Sequence, residues 1–573
     1  MPFASQRNLP NPKAMNPLSP IALALALLST PALADTLVDD VQGMSIDREG
    51  RVTRFTGIWI DDDGRVKQLL QRKDKRPPRT DFAVDGNGAV VIPGLIDSHL
   101  HVTDLGFSAL TLDLSETRSL AEAQAKIRAY ATQYPERKWI VGRGWNQETW
   151  GLGRFPTAAE LDAAVSDRPV LLDRVDGHAQ WANAAALVAA RVTAQTADPA
   201  GGRIERLPGS RAPAGVLVDN AMDLMKAAVP APRPDDYDLA LAKAQELLFA
   251  RGVTAAADMG TTIESWQSFR RAGDEGWLRL RIMAYAAGVP AMELIGGPGP
   301  TPWLYADKLR LNGVKLYVDG ALGSRGAWLK APYADDPKNT GLPLVGSTQL
   351  RNLMSRAALD KFQVAVHAIG DRANAEVLSA IEELSETYKG DRRWRIEHVQ
   401  ILDPADISRV AGHGTIASMQ PVHQTSDRLM AEARLGPNRL GGAYAWRSLA
   451  AAGAPLAFGS DAPVEAPDPF AGLAAAISRT GPDGQPFGGW LPGETLGREA
   501  ALAAFTAQGA YAGFGETRFG ELKPGLRADF VVIDRDPLLV APNELRATRI
   551  LQTWVGGERV YFAGAPSSPA ATR

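Results

Sequence analysis

Cysteine is missing from all 573 residues of the chain. Without it no disulfide can brace the fold and no thiolate can bind a metal, so any metal must be held by histidine, carboxylate or a modified lysine. Histidine is scarce too: there are seven, and the position of each is informative. A surplus of charge is equally absent, since 62 Lys and Arg face 65 Asp and Glu. No basic stripe offers an electrostatic footprint for nucleic acid. The glycine-rich runs "GGPGP" and "GLGR" lack the strand-to-helix setting of a phosphate loop, which argues against a nucleotide cofactor.

Long apolar runs are absent as well, with one short exception. Near the N-terminus "NPLSPIALALALLSTPALADT" carries an apolar stretch from Ile21 to Leu28, preceded by Arg7 and Lys13 and followed by Ala32-Leu33-Ala34. It is too short to span a bilayer and ends in a small-residue pattern, so residues 1–34 are expected to be a signal peptide cleaved after Ala34. The mature protein is then expected to be exported to the periplasm and free of the membrane.

What is present divides the chain by pattern. After the signal, "DTLVDDVQGMSIDREGRVTRFTGIWIDDDGRVKQLLQ" alternates short strands with Asp-Gly and Glu-Gly turns, as hairpins do. Near the other end "GLRADFVVIDRDP" and "ILQTWVGGERVYFAG" repeat that pattern, so residues 35–92 and 516–565 are expected to form one small β-sandwich, with 566–573 as a tail. Between them apolar strand-like runs alternate with Ala- and Leu-rich helical segments, the pattern of βα units and a parallel sheet. Eight runs qualify: "VIPGLIDSHLH", "VTAAAD", "LRIMAY", "VKLYVD", "QVAVHAI", "RIEHV", "TIASMQP" and "PLAFGSD". The expected fold is therefore α/β, a TIM barrel over residues 93–515. Residues of about 112–234 are too many for one crossover and contain their own strand-like runs, so they read as an insertion after the first strand.

The chemistry-bearing residues fall at the ends of these runs. Barrel strands deliver catalytic side chains at their C-terminal ends, and strand residues two apart share a face. His99 and His101 close the first run, His367 the fifth, His398 the sixth and Asp461 the eighth. Five such donors at one rim, with no cysteine, suit a catalytic Zn²⁺ site that keeps an open position for water. Lys315 lies in the fourth run. A protonated lysine cannot bind a cation, so it is either converted by CO₂ into an anionic carbamate or serves structure or substrate. His178 and His423 are candidates to hydrogen-bond a substrate, and Asp319 and Arg325 to support the site or contact substrate. Tryptophans including Trp145 either line an apolar pocket or pack the insertion. His413, between glycines, reads as a loop residue. Glu397 alternates with His398 and is expected to face away.

The set "PGLIDSHLH", Lys315, His367, His398 and Asp461, in this order, resembles the amidohydrolase superfamily. "GRGWNQETW", "DRVDGHAQWANAAAL", "KLYVDGALGSRGA", "HAIGDRAN", "SMQPVH" and "GSDAPVEAPDPF" narrow the resemblance to amidohydrolase family 3, the branch with N-substituted formamide deformylase. The resemblance implies that His99 and His101 bind one metal with Asp461 nearby, that His367 and His398 bind a second, and that carbamylated Lys315 bridges them. It implies a hydrolase of non-peptide C–N bonds, an amide or N-formyl or N-acyl amine. On that expectation hydroxide on zinc would attack the carbonyl, and Asp461 would move the proton to the leaving amine. A small-molecule substrate is expected, and family habit points to a homodimer. Two alternatives stay open: an ester or lactone hydrolase on the same metal site, and a catalytically silent periplasmic binding protein.

Overall fold

A computed structural model describes residues 35–564; the expected signal peptide and the expected tail 566–573 lie outside the described residues. Eight parallel strands follow one another in chain order: β1 (Leu95–Leu100), β2 (Val253–Thr261), β3 (Arg281–Ala287), β4 (Leu309–Tyr317), β5 (Gln363–Ala368), β6 (Arg395–His398), β7 (Ile416–Met419) and β8 (Leu456–Phe458). Every residue of β1, β5, β6, β7 and β8 is buried. That is why these strands read as near-continuous apolar runs: helices cover one face and the barrel interior the other.

Helices between the strands start at sequence-encoded caps. Thr262 accepts from the Ser265 amide at 3.1 Å before helix Ile263–Asp274. Asp468 accepts from the Phe470 and Ala471 amides at 3.0 and 3.1 Å before Pro469–Ser478, which also carries proline in its first turn. Both devices satisfy or dispense with amides that the first helical turn leaves unpaired.

The barrel closes through individual bonds at its mouth. The Asp461 amide donates to the His99 carbonyl at 2.7 Å and the His101 amide to the Ala462 carbonyl at 2.8 Å. Ser460 adds its amide and hydroxyl to the Asp97 carboxylate at 3.0 and 2.5 Å. The residues that bring β1 and β8 together are thus the neighbours of the candidate ligands themselves.

The first run divides differently from its sequence reading. Val90–Pro93 pairs antiparallel with Phe530–Ile533 outside the barrel, and only Leu95–Leu100 belongs to it. Gly94 stands at the division, where a Cβ would come 2.2 Å from Thr254 Oγ1. Only glycine allows the backbones to approach so closely. Around Val90–Pro93, strands from both ends of the chain assemble into one eight-stranded sheet.

Between β1 and β2 the chain builds a separate six-stranded sheet from Leu112–Asp113, Ile140–Trp145, Val170–Arg174, Ala179–Ala182, Gly202–Arg206 and Pro213–Asp219. Trp145, Trp150 and Trp181 lie edge to face in its core, and Trp145 Nε1 donates to the Leu172 carbonyl at 2.7 Å. Trp145 therefore packs the insertion instead of lining a substrate pocket, because its one polar atom is already engaged inside that core.

A buried ion pair ties the barrel to the terminal sheet. Arg281, the first residue of β3, has no exposed surface and holds Asp529 in a two-pronged contact at 2.6 and 2.8 Å. Arg281→Ala leaves that carboxylate buried without its cation, which costs about 3–5 kcal/mol. A fall in the thermal midpoint, followed by circular dichroism, is the expected result; an unchanged midpoint would show that the pair does not join the two units.

Candidate metal centre

The C-terminal ends of the strands place one carboxylate among four imidazoles. Asp461 Oδ1 lies 3.4 Å from His99 Nε2 and 3.3 Å from His101 Nε2, while Oδ2 lies 3.9 Å from His398 Nδ1 and 3.7 Å from His423 Nε2. The His398 ring packs 4.6 Å from both the His99 and His367 rings. Lys315 Nζ, almost fully buried, stands 3.3 Å from His99 Nε2. The ligand atoms of His99, His398 and Asp461 all fall within 4.8 Å of one another.

Their protonation suits cation binding. Burial, and then the Lys315 charge, push the His99 imidazole down to about 4. Burial together with neighbouring imidazoles holds His367 and His398 well below the usual histidine range. For Asp461 burial works the other way, yet the surrounding histidines, His99 foremost, hold it well below the usual carboxylate range. His99, His367 and His398 are thus neutral beside an ionised carboxylate, the form in which these groups bind a metal, whereas at His101 burial is outweighed by the Asp461 carboxylate, which raises the ring. His367 Nε2 and His423 Nε2 are buried with no hydrogen-bond partner among the described residues. The unpartnered ring nitrogen of His367, beside a nitrogen and oxygen donor set, fits a divalent metal ion.

Glu397 corrects the sequence reading, because it faces inward. Its Oε2 lies 2.7 Å from His99 Nδ1, and neither side chain is exposed. Strict alternation fails one residue later: His398 adopts φ +77° and Val399 φ +48°, so His398 turns back towards the mouth at the strand's end. Glu397 thus continues the inward register of Arg395 two residues before it, and His398 reaches the site by leaving that register. Arg395 Nε donates to Glu397 Oε1 at 2.7 Å, and its other nitrogens reach Tyr285 Oη, the Ser98 carbonyl and Ser418 Oγ. Burial would raise the Glu397 carboxyl, but Arg395 and His99 bring it down to about 2. The carboxylate accepts a hydrogen bond from Nδ1–H of His99, which leaves Nε2 as a lone pair facing the other donors. Gln420 serves His398 similarly, its Oε1 2.9 Å from Nδ1.

The remaining expected residues separate into two groups. His178, from the insertion, packs its ring 5.1 Å from that of His367, and His423 stacks over His398 at 6.0 Å; both stand at the mouth. Asp319 is fully buried and accepts from the Trp328, Ile369 and Gly370 amides at 2.8, 3.0 and 2.8 Å. With both oxygens occupied it supports the loop after His367, 3.6 Å from His367 Nε2, and is not placed to take substrate. Arg325 pairs with Asp335 at 2.9 Å, so its charge is spent in a loop ion pair and does not join the centre. Arg395, Glu397, Gln420 and Asp219, the partner of His178, are the supporting residues that sequence reasoning missed. The available signal was Arg395 and Glu397 themselves, two charges spaced two apart in an otherwise apolar strand.

A family model described as "Amidohydrolase family" matches residues 83–561. The chain is 33% identical over 524 residues to YtcJ of Bacillus subtilis (strain 168), covering 89% of this chain and 96% of that one. It is 27% identical over 495 residues to N-substituted formamide deformylase of Arthrobacter pascens, covering 83% and 89%. Among solved structures, an uncharacterized metal-dependent hydrolase from Pyrococcus horikoshii OT3 superposes with a TM-score of 0.71 at 26% identity, covering 89% of this chain and 99% of that one.

Glu397→Gln keeps the shape of the side chain but removes the charge that orients His99. Metal affinity, measured by competition with a chromophoric chelator, is expected to fall about 10–100-fold. Equal affinity in the variant would mean that the carboxylate does not set the ring.

Proposed function

Since the chain belongs to amidohydrolase family 3 and carries the donor set of a metal-dependent hydrolase, we propose that it cleaves a non-peptide C–N bond, in an amide or an N-formyl or N-acyl amine. The observation that carries this reading is the convergence of His99, His398 and Asp461 at the barrel mouth. Its likeness to N-substituted formamide deformylase supports the choice of bond.

In this reading His99, His101 and Asp461 would hold one ion and His367 and His398 a second, with Lys315, as a carbamate, a further ligand. Burial lowers its amine to about 8, which increases the neutral fraction able to add to CO₂; one proton is released and an anionic two-oxygen ligand results. When bound, zinc supplies Lewis acidity, acidifying a water towards neutral pH and polarising the substrate carbonyl.

The side chains do the rest. Asp461 accepts the proton of the attacking water and delivers it to the nitrogen that departs, because an amine leaves poorly without a proton. His99, held by Glu397, keeps its donor atom aimed at the centre. His178 and His423 stand at the mouth to contact the substrate. The expected signal peptide puts this hydrolysis outside the cytoplasm, on a small molecule.

Metal content of the purified protein is the first test: about two zinc per chain are expected, with a lower content in His99→Ala. No bound metal after zinc supplementation would remove the hydrolytic reading. Asp461→Asn keeps an oxygen donor in place and is expected to retain metal while turnover of N-formyl and N-acyl amines drops by about 10²–10⁴-fold. Full activity in that variant would exclude Asp461 as the proton carrier, and an ester panel assayed beside the amides would reveal a preference for the other bond.

A further inference from the structure

β3 reaches the mouth with Ala286 and Ala287, two of the smallest side chains. The space above them is taken by a residue of the next strand. Tyr317 ends β4 two positions after Lys315, so both side chains leave the same face. Its ring lies 4.7 Å from Lys315 Nζ and 5.3 Å from the His367 ring. From there the phenol crosses the end of β3 towards β2, where a Cβ on Gly260 would stand 3.9 Å from Tyr317 Oη and 3.8 Å from His101 Nδ1. Gly260 has φ +129° at a break in the register between β2 and β3, a conformation that glycine adopts without cost to a side chain.

This approach closes the β3 side of the mouth. Since a carbon–carbon bond is about 1.5 Å long, Oη lies at most about 5.4 Å from Gly260 Cα. A methylene needs about 7 Å to pass between two atoms at van der Waals contact, so no chain threads between them. The ring still faces the mouth: Tyr317 is 36% exposed, while Lys315 beneath it is almost fully buried. Its hydroxyl has no hydrogen-bond partner among the described residues. An alkyl chain laid against it would therefore strip its water and supply nothing in return, an unfavourable exchange for a polar group.

Strand order says which part of a substrate meets this wall. In the closed ring of eight strands, β8, which Asp461 follows, lies opposite β4, which Tyr317 ends. The nitrogen that takes its proton from Asp461 stands on the β8 side. The group on the other side of the carbonyl carbon, the acyl substituent, then points towards β4 and the wall over β3.

We propose that Tyr317 is the specificity-determining residue for the acyl half of the substrate, admitting a formyl or acetyl group and excluding longer chains. The proposal deepens the reading of the mouth as a metal-dependent amide hydrolase and rests on it. The ring supplies the steric limit, the hydroxyl a penalty for covering it with alkyl carbon, and Gly260 the close approach that seals the wall.

The test is kcat/KM of the metal-loaded full chain on formyl, acetyl and hexanoyl amides of aniline and of butylamine. Acetyl and hexanoyl carbonyls differ little in intrinsic reactivity, so their ratio reads the subsite. Wild type is expected to favour acetyl by at least about 10-fold, the discrimination that a misfitting methylene gives. Tyr317→Ala and Tyr317→Leu should both shift the ratio towards hexanoyl by at least about 10-fold, with metal content unchanged. Tyr317→Phe, which keeps the ring and removes the hydroxyl, should shift it less, by about 5-fold. A merely structural Tyr317 would lower all the rates together and leave the ratio where it was. Equal cleavage of acetyl and hexanoyl amides by wild type overturns the proposal, as does an unchanged ratio in the folded Ala or Leu variant. Metal-loaded wild type that cleaves none of the amides overturns the underlying hydrolase reading, and the acyl subsite with it, so the two failures are told apart.

Discussion

Arg395, Glu397 and His99 form a hydrogen-bonded row through the barrel interior, with none of the three exposed. A guanidinium and a carboxylate removed from water remain stable only when paired and fully hydrogen-bonded. Arg395 meets this condition through Glu397, Tyr285, Ser98 and Ser418, which lie on β6, β3, β1 and β7. Four strands are thereby held to one side chain, and the second carboxylate oxygen of Glu397 is presented to His99. Orientation of the first ligand and packing of the barrel interior are the same set of bonds.

From that row outward the mouth departs from regular strand geometry. His398 and Asp461 both adopt left-handed backbone, at φ +77° and +60°, and the Asp461 amide closes the barrel on the His99 carbonyl. These conformations are costly for residues with side chains. They are tolerated where a barrel already rigid below the mouth dictates them, and they aim side chains that ordinary alternation would send into the surrounding helices.

The two added units act on the centre differently. The terminal sheet grips the barrel through Arg281 and Asp529, far in sequence from the ligands. The insertion reaches the mouth directly. It is clamped by Arg434, which pairs with Glu148 of the insertion and with Asp335, and by Arg143, bonded to the Pro463 carbonyl just after Asp461. So held, it places the His178 ring 5.1 Å from that of His367.

The sequence by itself determined the eight-strand order, the existence of an insertion, and which donor types gather at the rim, because buried parallel strands are written as contiguous apolar runs and ligands stand at their ends. It also marked the family through contiguous motifs. Only the tertiary structure decided that Glu397 points inward, that Trp145 and Arg325 belong to packing and to a loop ion pair, and that His178 has Asp219 beneath it. Glu397 and His99 are 298 residues apart, and His178 and Asp219 are 41 apart. No local period encodes such contacts, and at His398 the alternation rule on which facing was judged is broken by a backbone conformation that three-dimensional closure imposes.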